Sequence, residues 1–198
     1  MRIAVSGAAG TGKSTLAAAL AAKLGVPLVP DFVEEVLREH GKDSWRGIND
    51  TRIRKTIRMV ALERKIAAES VAEAFVSDKS VVDYLAYWVM NQMEFETKEQ
   101  NQAVLDMVRA HVGRYTHRLF LPYRADVEPG PTRNADLVHN MKLSAVKRGL
   151  YIELGAAPAE VPYTFGEDID AWVAEHLEGG KAAPAAKKKV AAGKKKKG

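Results

Sequence analysis

Short apolar runs alternate along the chain with longer segments in which apolar residues recur every three or four positions. The short runs "RIAVS" (2–6), "VPLVP" (26–30), "FVSD" (75–78), "HRLFLP" (117–122) and "EVPYTF" (160–165) predict buried strands. The longer segments predict helices over residues 15–25, 32–41, 50–74, 80–92, 98–113, 137–154 and 166–178. This alternation predicts an α/β fold with a roughly five-stranded parallel sheet between two layers of helices.

The end of the chain differs from the rest. Residues 179–198 contain eight lysines, no acidic residue and no apolar periodicity. We therefore predict one folded domain over residues 1–178 and a disordered Lys/Ala-rich basic tail over 179–198. The chain has 30 basic and 25 acidic residues, and removing the tail lysines leaves 22 basic residues. The net charge of +5 thus comes from the tail, which predicts either weak non-specific nucleic-acid contact or only a solubilising role.

Composition excludes several classes of protein. The chain has no cysteine, so it has neither a disulfide framework nor a thiolate metal site. No apolar run approaches the roughly 18–20 residues of a membrane span, and the apolar start is too short for a signal peptide. We expect a cytoplasmic protein without membrane contact, and the sequence does not predict its oligomeric state.

The first glycine-rich segment, "GAAGTGKS", follows a predicted strand and opens a predicted helix. In the pattern G-x-x-x-x-G-K-[ST], glycines let backbone N–H groups turn inward around phosphate oxygens. Lys13 would reach the β- and γ-phosphates, the Ser14 hydroxyl would bind Mg²⁺, and we expect Lys13 to be exposed without nucleotide. The predicted nucleotide-binding residues are Gly7, Ala8, Ala9, Gly10, Thr11, Gly12, Lys13, Ser14 and Thr15.

Other features favour a kinase over the remaining users of such a loop. The chain lacks the Asn-Lys-x-Asp segment that reads guanine in GTPases. A hydrolytic ATPase usually places a water-activating Glu after its metal-binding Asp, whereas Lys79 follows Asp78. A cation at that position suits transfer of a phosphoryl group to a substrate.

The segments "RIAVSGAAGTGKSTLAAALAAKLGVPLVPDFVEE" and "VSDKSVVDYLAYW" resemble the P-loop nucleoside and nucleotide kinases. The strongest resemblance is to small AAA-type ATP-binding domains related to nicotinamide riboside kinase and thymidylate kinase, and it covers residues 1 to about 178. It implies the P-loop NTPase fold, ATP and Mg²⁺ as cofactors, and transfer of the ATP γ-phosphoryl group.

The resemblance also implies roles for single residues. Asp31 matches an acidic residue that faces the acceptor, although Glu34 stands where relatives often have Arg. "DKS" (78–80) matches an Asp-Arg-Ser motif, with Lys79 in place of Arg, and Asp83 begins a family-like "D-x-x-A-Y" segment. "PGPTR" stands where relatives carry a lid, so Arg133 is the candidate lid arginine and Arg124 the second choice, without the usual lid acid.

The predicted catalytic residues are therefore Lys13, Asp31, Asp78 and Arg133, and the predicted metal ligands are Ser14 and Asp78. Asp31 and Asp78 are both candidates for the general base. Each of these two aspartates has an alternative role as the N-cap of the helix that follows it. Asp83, one turn into its helix, has the alternative role of complementing the helix dipole.

For other polar and aromatic residues the sequence gives weaker evidence of a functional role. A basic group on the long helix either lines an anionic acceptor site or forms a solvated face: Arg52, Arg54, Lys55 and Arg58. Trp45 either stacks on a base or packs locally. Tyr84, Tyr87 and Trp88 are predicted core residues. The histidines lack the spacing of metal ligands.

The predicted function is ATP-dependent phosphorylation of a nucleoside, a nucleotide or a related small acceptor. One alternative is a kinase that acts on a hydroxylated base in DNA, of the 5-hydroxymethyluracil type, where a lysine tail would help. Another is a regulatory P-loop ATPase or switch without a small-molecule acceptor. Turnover that requires an acceptor distinguishes a kinase from a switch.

Overall fold

The computed structural model describes residues 1–124, 136–161, 163 and 167–178. Its strands are β1 (Arg2–Gly7), β2 (Leu28–Val29), β3 (Phe75–Asp78), β4 (His117–Leu121) and β5 (Ala159–Glu160). Its α-helices are α1 (Lys13–Leu24), α2 (Val33–Glu39), α3 (Thr51–Val71), α4 (Val81–Asn91), α5 (Lys98–Val112), α6 (Leu137–Glu153) and α7 (Ile169–Val173). A 3₁₀ turn (Met93–Phe95) precedes α5, and a π-helical turn (Ala174–Glu178) continues α7.

The five strands form one parallel sheet in the order β2-β3-β1-β4-β5. Val5 is in register with Asp78 across β1 and β3, and Gly7 with Leu121 across β1 and β4. The carboxyl ends of these strands therefore meet at one edge of the sheet, which is where ligands bind in open α/β sheets.

Alternating residues of the strands feed two cores on opposite faces of the sheet. Ile3 and Val5 pack with buried residues of α1 and α7, while Ala4 packs with α2, α3, α4 and α5. This division is the expected consequence of the two-residue period of a strand covered on both sides. The predicted α/β three-layer sandwich with a five-stranded parallel sheet is thus confirmed.

Each described strand and α-helix overlaps its predicted segment, although several ends differ: β2, for example, is Leu28–Val29 within the predicted 26–30. The largest difference is at the last strand. The prediction placed it at residues 160–165, whereas β5 is the shorter segment Ala159–Glu160. Pairing decides its position, because β5 pairs with Leu119 and Phe120, and the Val161 N–H then donates to the Phe120 carbonyl. Among the helices of the described ranges, none combines the length and the apolar character that a membrane span needs.

Candidate active site

The loop between β1 and α1 is tied to the neighbouring strand β4. Gly7 has φ of +132°, and a Cβ at this position would lie 2.1 Å from the Leu121 carbonyl oxygen. The next amide, that of Ala8, donates to the same oxygen at 3.0 Å. Only glycine fits where two backbones approach this closely, which explains the first glycine of the motif.

Helix α1 begins without the side-chain N-cap that most other helices of the described residues have. Its N-cap is Gly12 in the left-handed conformation, with φ of +87°, so this helix has no N-cap side-chain hydrogen bond. No acidic residue lies in that turn. By contrast, Asp50, Ser80, Thr97, Asp136 and Asp168 cap α3 to α7 with side-chain oxygens. An uncapped helix N-terminus after a glycine loop suits an anionic ligand.

Lys13 is buried, with 8% of its surface exposed, which corrects the expectation that it would be exposed. Its ammonium group donates to the Ala8 carbonyl, so the loop closes around it. Burial lowers the pKa of Lys13 to about 7, and the nearby charge of Lys147 lowers it further against the opposing effect of Asp83. A phosphate group would supply the negative charge that this lysine lacks.

Ser14 and Thr15 are exposed in the first turn of α1, and Asp78 is partly buried at the end of β3. The Asp78 Oδ1 atom is buried without a hydrogen-bond partner among the described residues. Asp78 does not cap α4, because Ser80 does so through its hydroxyl, and the N-cap alternative for Asp78 is wrong. A carboxylate oxygen and a hydroxyl, such as those of Asp78 and Ser14, are ligands of the type that Mg²⁺ takes alongside substrate phosphates.

Asp31 lies beyond β2 and contacts side chains from two other segments. It forms an ion pair with Lys79, and the Tyr84 hydroxyl donates to its Oδ1 at 2.8 Å. Although burial by itself raises the pKa of Asp31, the charge and hydrogen bond of Lys79 outweigh it, so the pKa lies below its usual value. The N-cap position of α2 is Phe32, but Asp31 Oδ1 accepts from the N–H of Val33, the first residue of α2, at 3.3 Å, so Asp31 also has a capping contact.

Lys79 has an unusual backbone conformation, with φ of +63°. Its N–H donates to the Val5 carbonyl at 3.1 Å, and its carbonyl accepts from the Ser77 hydroxyl at 3.0 Å. These bonds hold a left-handed conformation that a residue with a Cβ rarely adopts. The resulting bend points the Lys79 side chain at Asp31.

Asp83 and Lys147 form a buried ion pair that connects α4 to α6, at 2.7 Å. Asp83 completes a capping box with Ser80, and Lys147 also donates to the Gly7 carbonyl at 2.9 Å. Burial raises the pKa of Asp83, but the charge and hydrogen bond of Lys147, together with hydrogen bonds from Ser80 and Ser6, lower it to about 2. Sequence reasoning missed Lys147, although its four-residue spacing from the buried Leu143 and Tyr151 was a detectable signal.

A second buried lysine ties the ends of β2 and β3 together. Lys65 of α3 donates to the carbonyls of Val29, Pro30 and Asp78 at 3.2, 2.9 and 2.9 Å. These are backbone groups just before Asp31 and at Asp78. Sequence reasoning missed Lys65 as well.

Buried Glu69 lies one turn after Lys65 in α3. It accepts hydrogen bonds from the Ser77 hydroxyl, from His111 Nε2 at 2.7 Å and from the Tyr115 hydroxyl at 2.8 Å. His111 therefore has a structural role. Among the described residues no group of acidic and histidine side chains has the arrangement of a metal site.

The candidate lid arginines and the candidate aromatic residues lie in different environments. Arg133 lies outside the described residues, and Arg124 is partly buried just after β4. Trp45 packs against the Arg58 guanidinium, at 4.4 Å from the ring centroid. Tyr84 and Trp88 are buried as predicted, whereas Tyr87 is partly exposed.

Comparisons with known proteins agree with this architecture. A family model described as "AAA domain" matches residues 2–168. No curated protein sequence matches the chain. A NadR protein solved in complex with NR superposes with a TM-score of 0.61 at 16% identity, over 86% of this chain and 50% of that one. This chain therefore spans about half the length of the NadR protein.

Two shorter proteins match over almost their whole length. The M. mycoides deoxyadenosine kinase with bound dATP gives a TM-score of 0.60 at 16% identity, with 88% of this chain and 98% of that chain covered. The shikimate kinase from Aquifex aeolicus vf5 gives 0.51 at 18% identity, with 90% and 95% covered. At identities below 20% a structural similarity shows the fold. The predicted resemblance to P-loop kinases is therefore confirmed for the fold.

Proposed function

This chain belongs to the AAA domain family, and we propose that within it the protein is a kinase that transfers the ATP γ-phosphoryl group to a nucleoside, a nucleotide or a related small acceptor. The observation that carries the proposal is the convergence of the uncapped glycine loop with buried lysines and partly buried aspartates at one sheet edge. Such a site supplies positioning and charge neutralisation, which are the main needs of phosphoryl transfer.

Lys13 and Lys79 have different tasks in this proposal. Lys13, whose pKa burial lowers to about 7, gains a proton when phosphate oxygens approach and then neutralises the transferring group. Lys79 holds Asp31 from the other side and adds positive charge next to the acceptor. Arg133 remains the proposed lid arginine.

Asp31 binds the acceptor hydroxyl. Its depressed pKa keeps it ionised, so it orients the hydroxyl as a hydrogen-bond acceptor and is a weak base before the reaction. Ser14 and Asp78 would hold Mg²⁺, and the ion would neutralise charge on the phosphates.

Phosphoryl transfer from labelled ATP to a panel of acceptors tests the proposal. The panel contains nucleosides, nucleoside monophosphates, nicotinamide riboside and DNA with hydroxymethyluracil. We expect ADP production that depends on one acceptor, and loss of about 10²–10³-fold in Lys13→Ala. Slow ATP hydrolysis that no acceptor accelerates would instead support the regulatory ATPase.

A further inference from the structure

The basic residues at the start of α3 are not equivalent. Arg52 is an exposed residue that pairs with Asp50 at 3.1 Å, and Lys55 pairs with Glu96 at 2.7 Å. Both charges are therefore compensated by neighbouring carboxylates. The solvated-face interpretation fits Arg52, whereas Lys55 is partly buried in its ion pair with Glu96.

Arg54 and Arg58 have no carboxylate partner within the described part of the chain. Arg54 Nε donates to the Ile48 carbonyl at 2.5 Å, and Arg58 Nη1 donates to Gln92 Oε1 at 3.3 Å. Both acceptors are neutral, and among the described residues no carboxylate forms an ion pair with either arginine. Two uncompensated cations thus lie one helical turn apart.

The environment of Arg58 makes this lack of compensation costly. The guanidinium lies 4.4 Å from the centroid of the Trp45 ring, and its Nε is buried without a hydrogen-bond partner among the described residues. Burial lowers the pKa of Arg58 to about 10, and the charge of Arg54 adds to this effect. A desolvated donor beside a second cation favours an anionic partner.

These arginines are connected to the proposed acceptor site through Tyr87 on α4. The Tyr87 ring centroid lies 5.9 Å from Lys79 Nζ and 5.2 Å from Lys147 Nζ. Gln92, at the end of the same helix, accepts the hydrogen bond from Arg58 Nη1 at 3.3 Å. A ligand that starts at Asp31 and follows α4 past Tyr87 would therefore approach Arg58.

We infer that the acceptor carries an anionic oxygen group, a carboxylate or a phosphate, which Arg58 and Arg54 bind while Asp31 binds the acceptor hydroxyl. This inference rests on the proposed function for the position of the hydroxyl. It also excludes an acceptor with a cationic ring, such as nicotinamide riboside, because two uncompensated arginines repel it.

Binding measurements test the inference independently of catalysis. Calorimetry with a non-hydrolysable ATP analogue present compares each common nucleoside with its 3′-monophosphate, and uridine with its carboxylate derivative orotidine. We expect at least one anionic compound to bind about tenfold or more tightly than its neutral counterpart. The phosphate and carboxylate pairs identify which anion the site takes.

Variants assign the preference to residues. Arg58→Gln should abolish it, Arg58→Lys should retain part of it, and the exposed control Arg52→Gln should leave it unchanged. Thermal unfolding of each variant reports whether the fold persists, and Arg54→Gln gives a second test if Arg58→Gln is unstable.

Equal or weaker binding of every anionic compound, or no binding by any pair, overturns the inference. Binding of the anion without phosphoryl transfer would refute the kinase and leave the anion site intact. Phosphoryl transfer to neutral acceptors, without tighter binding of anionic ones, would support the kinase and refute the anion site.

Discussion

At residue 65 a lysine is fully buried, and its ammonium group binds carbonyls at the ends of two neighbouring strands. The same pattern recurs at Lys147, which joins Asp83 to the Gly7 carbonyl. A buried cation that satisfies several acceptors is costly to place but fixes the relative positions of those acceptors. These two lysines thus position Asp31, Asp78 and the glycine loop.

Replacing Lys65 by Met should lower the free energy of unfolding by on the order of 2 kcal/mol, because buried carbonyls lose their donor. Chemical denaturation measures this change. The exposed Lys42→Met is the control and should change stability by less than about 0.5 kcal/mol. Equal effects of the two substitutions would show that the carbonyl contacts do not matter.

The stability difference between the wild type and Lys65→Met should grow with pH. Burial lowers the folded-state pKa of Lys65 to about 8, against 10.5 for the unfolded chain. Between these values the unfolded chain binds more protons, so Lys65 adds stability as the pH rises, by up to about 1.4 kcal/mol per unit. Denaturation at pH 7 and pH 9 measures the change, and a difference that shrinks at higher pH contradicts it.

Asp78→Asn should reduce kcat on the order of 10²-fold and leave Tm nearly unchanged. An amide holds a divalent cation poorly, whereas no described helix depends on this side chain as a cap. Turnover and thermal unfolding are measured on the same preparation, with exposed Asp43→Asn as the control. A kcat equal to that of the wild type would remove Asp78 from the metal site.

At the level of elements, the sequence predicted the sheet and most helices because their signals are local. β3 is the predicted segment, and Gly25 ends α1 as predicted, with φ of +64°. The buried charges on α3 and α6 were missed because their acceptors, such as the Pro30 and Gly7 carbonyls, are distant in sequence. The Lys79–Asp31 pair spans 48 positions, and only the assembled sheet edge brings these residues together.

The connection from β1 to α1 depends on the absence of a side chain at residue 7. Gly7→Ala should destabilise the protein by about 3 kcal/mol or more, because the new Cβ overlaps the Leu121 backbone. Gly149→Ala on α6 is the matched control, since nothing lies within 4 Å of its Cβ, and it should stabilise by about 0.5–1 kcal/mol. Comparable stability of the two variants would contradict the close approach of loop and strand.

At the level of the whole molecule, the last described helical segment closes the second core. Trp172, Val173 and Leu177 are buried with residues of α1 and of the central strands. Lys23 of α1 also pairs with Asp170 at 2.7 Å. The folded unit therefore includes residue 177.

Residues 179–198 follow this segment and lie outside the described residues. We predict that deleting them leaves Tm unchanged, because their lysine-rich composition has no apolar pattern with which to join either core.

We also predict that the full chain binds DNA or RNA weakly, without sequence preference and with steep salt dependence, whereas the deletion variant does not. Fluorescence anisotropy at low and high salt measures this binding, and a full-length variant with the eight tail lysines replaced by serine separates charge from length. Equal binding by the deletion variant would place the nucleic-acid contact elsewhere. If deletion abolished turnover on hydroxymethyluracil DNA but left turnover on free nucleosides intact, the tail would deliver a polymeric acceptor to the same site.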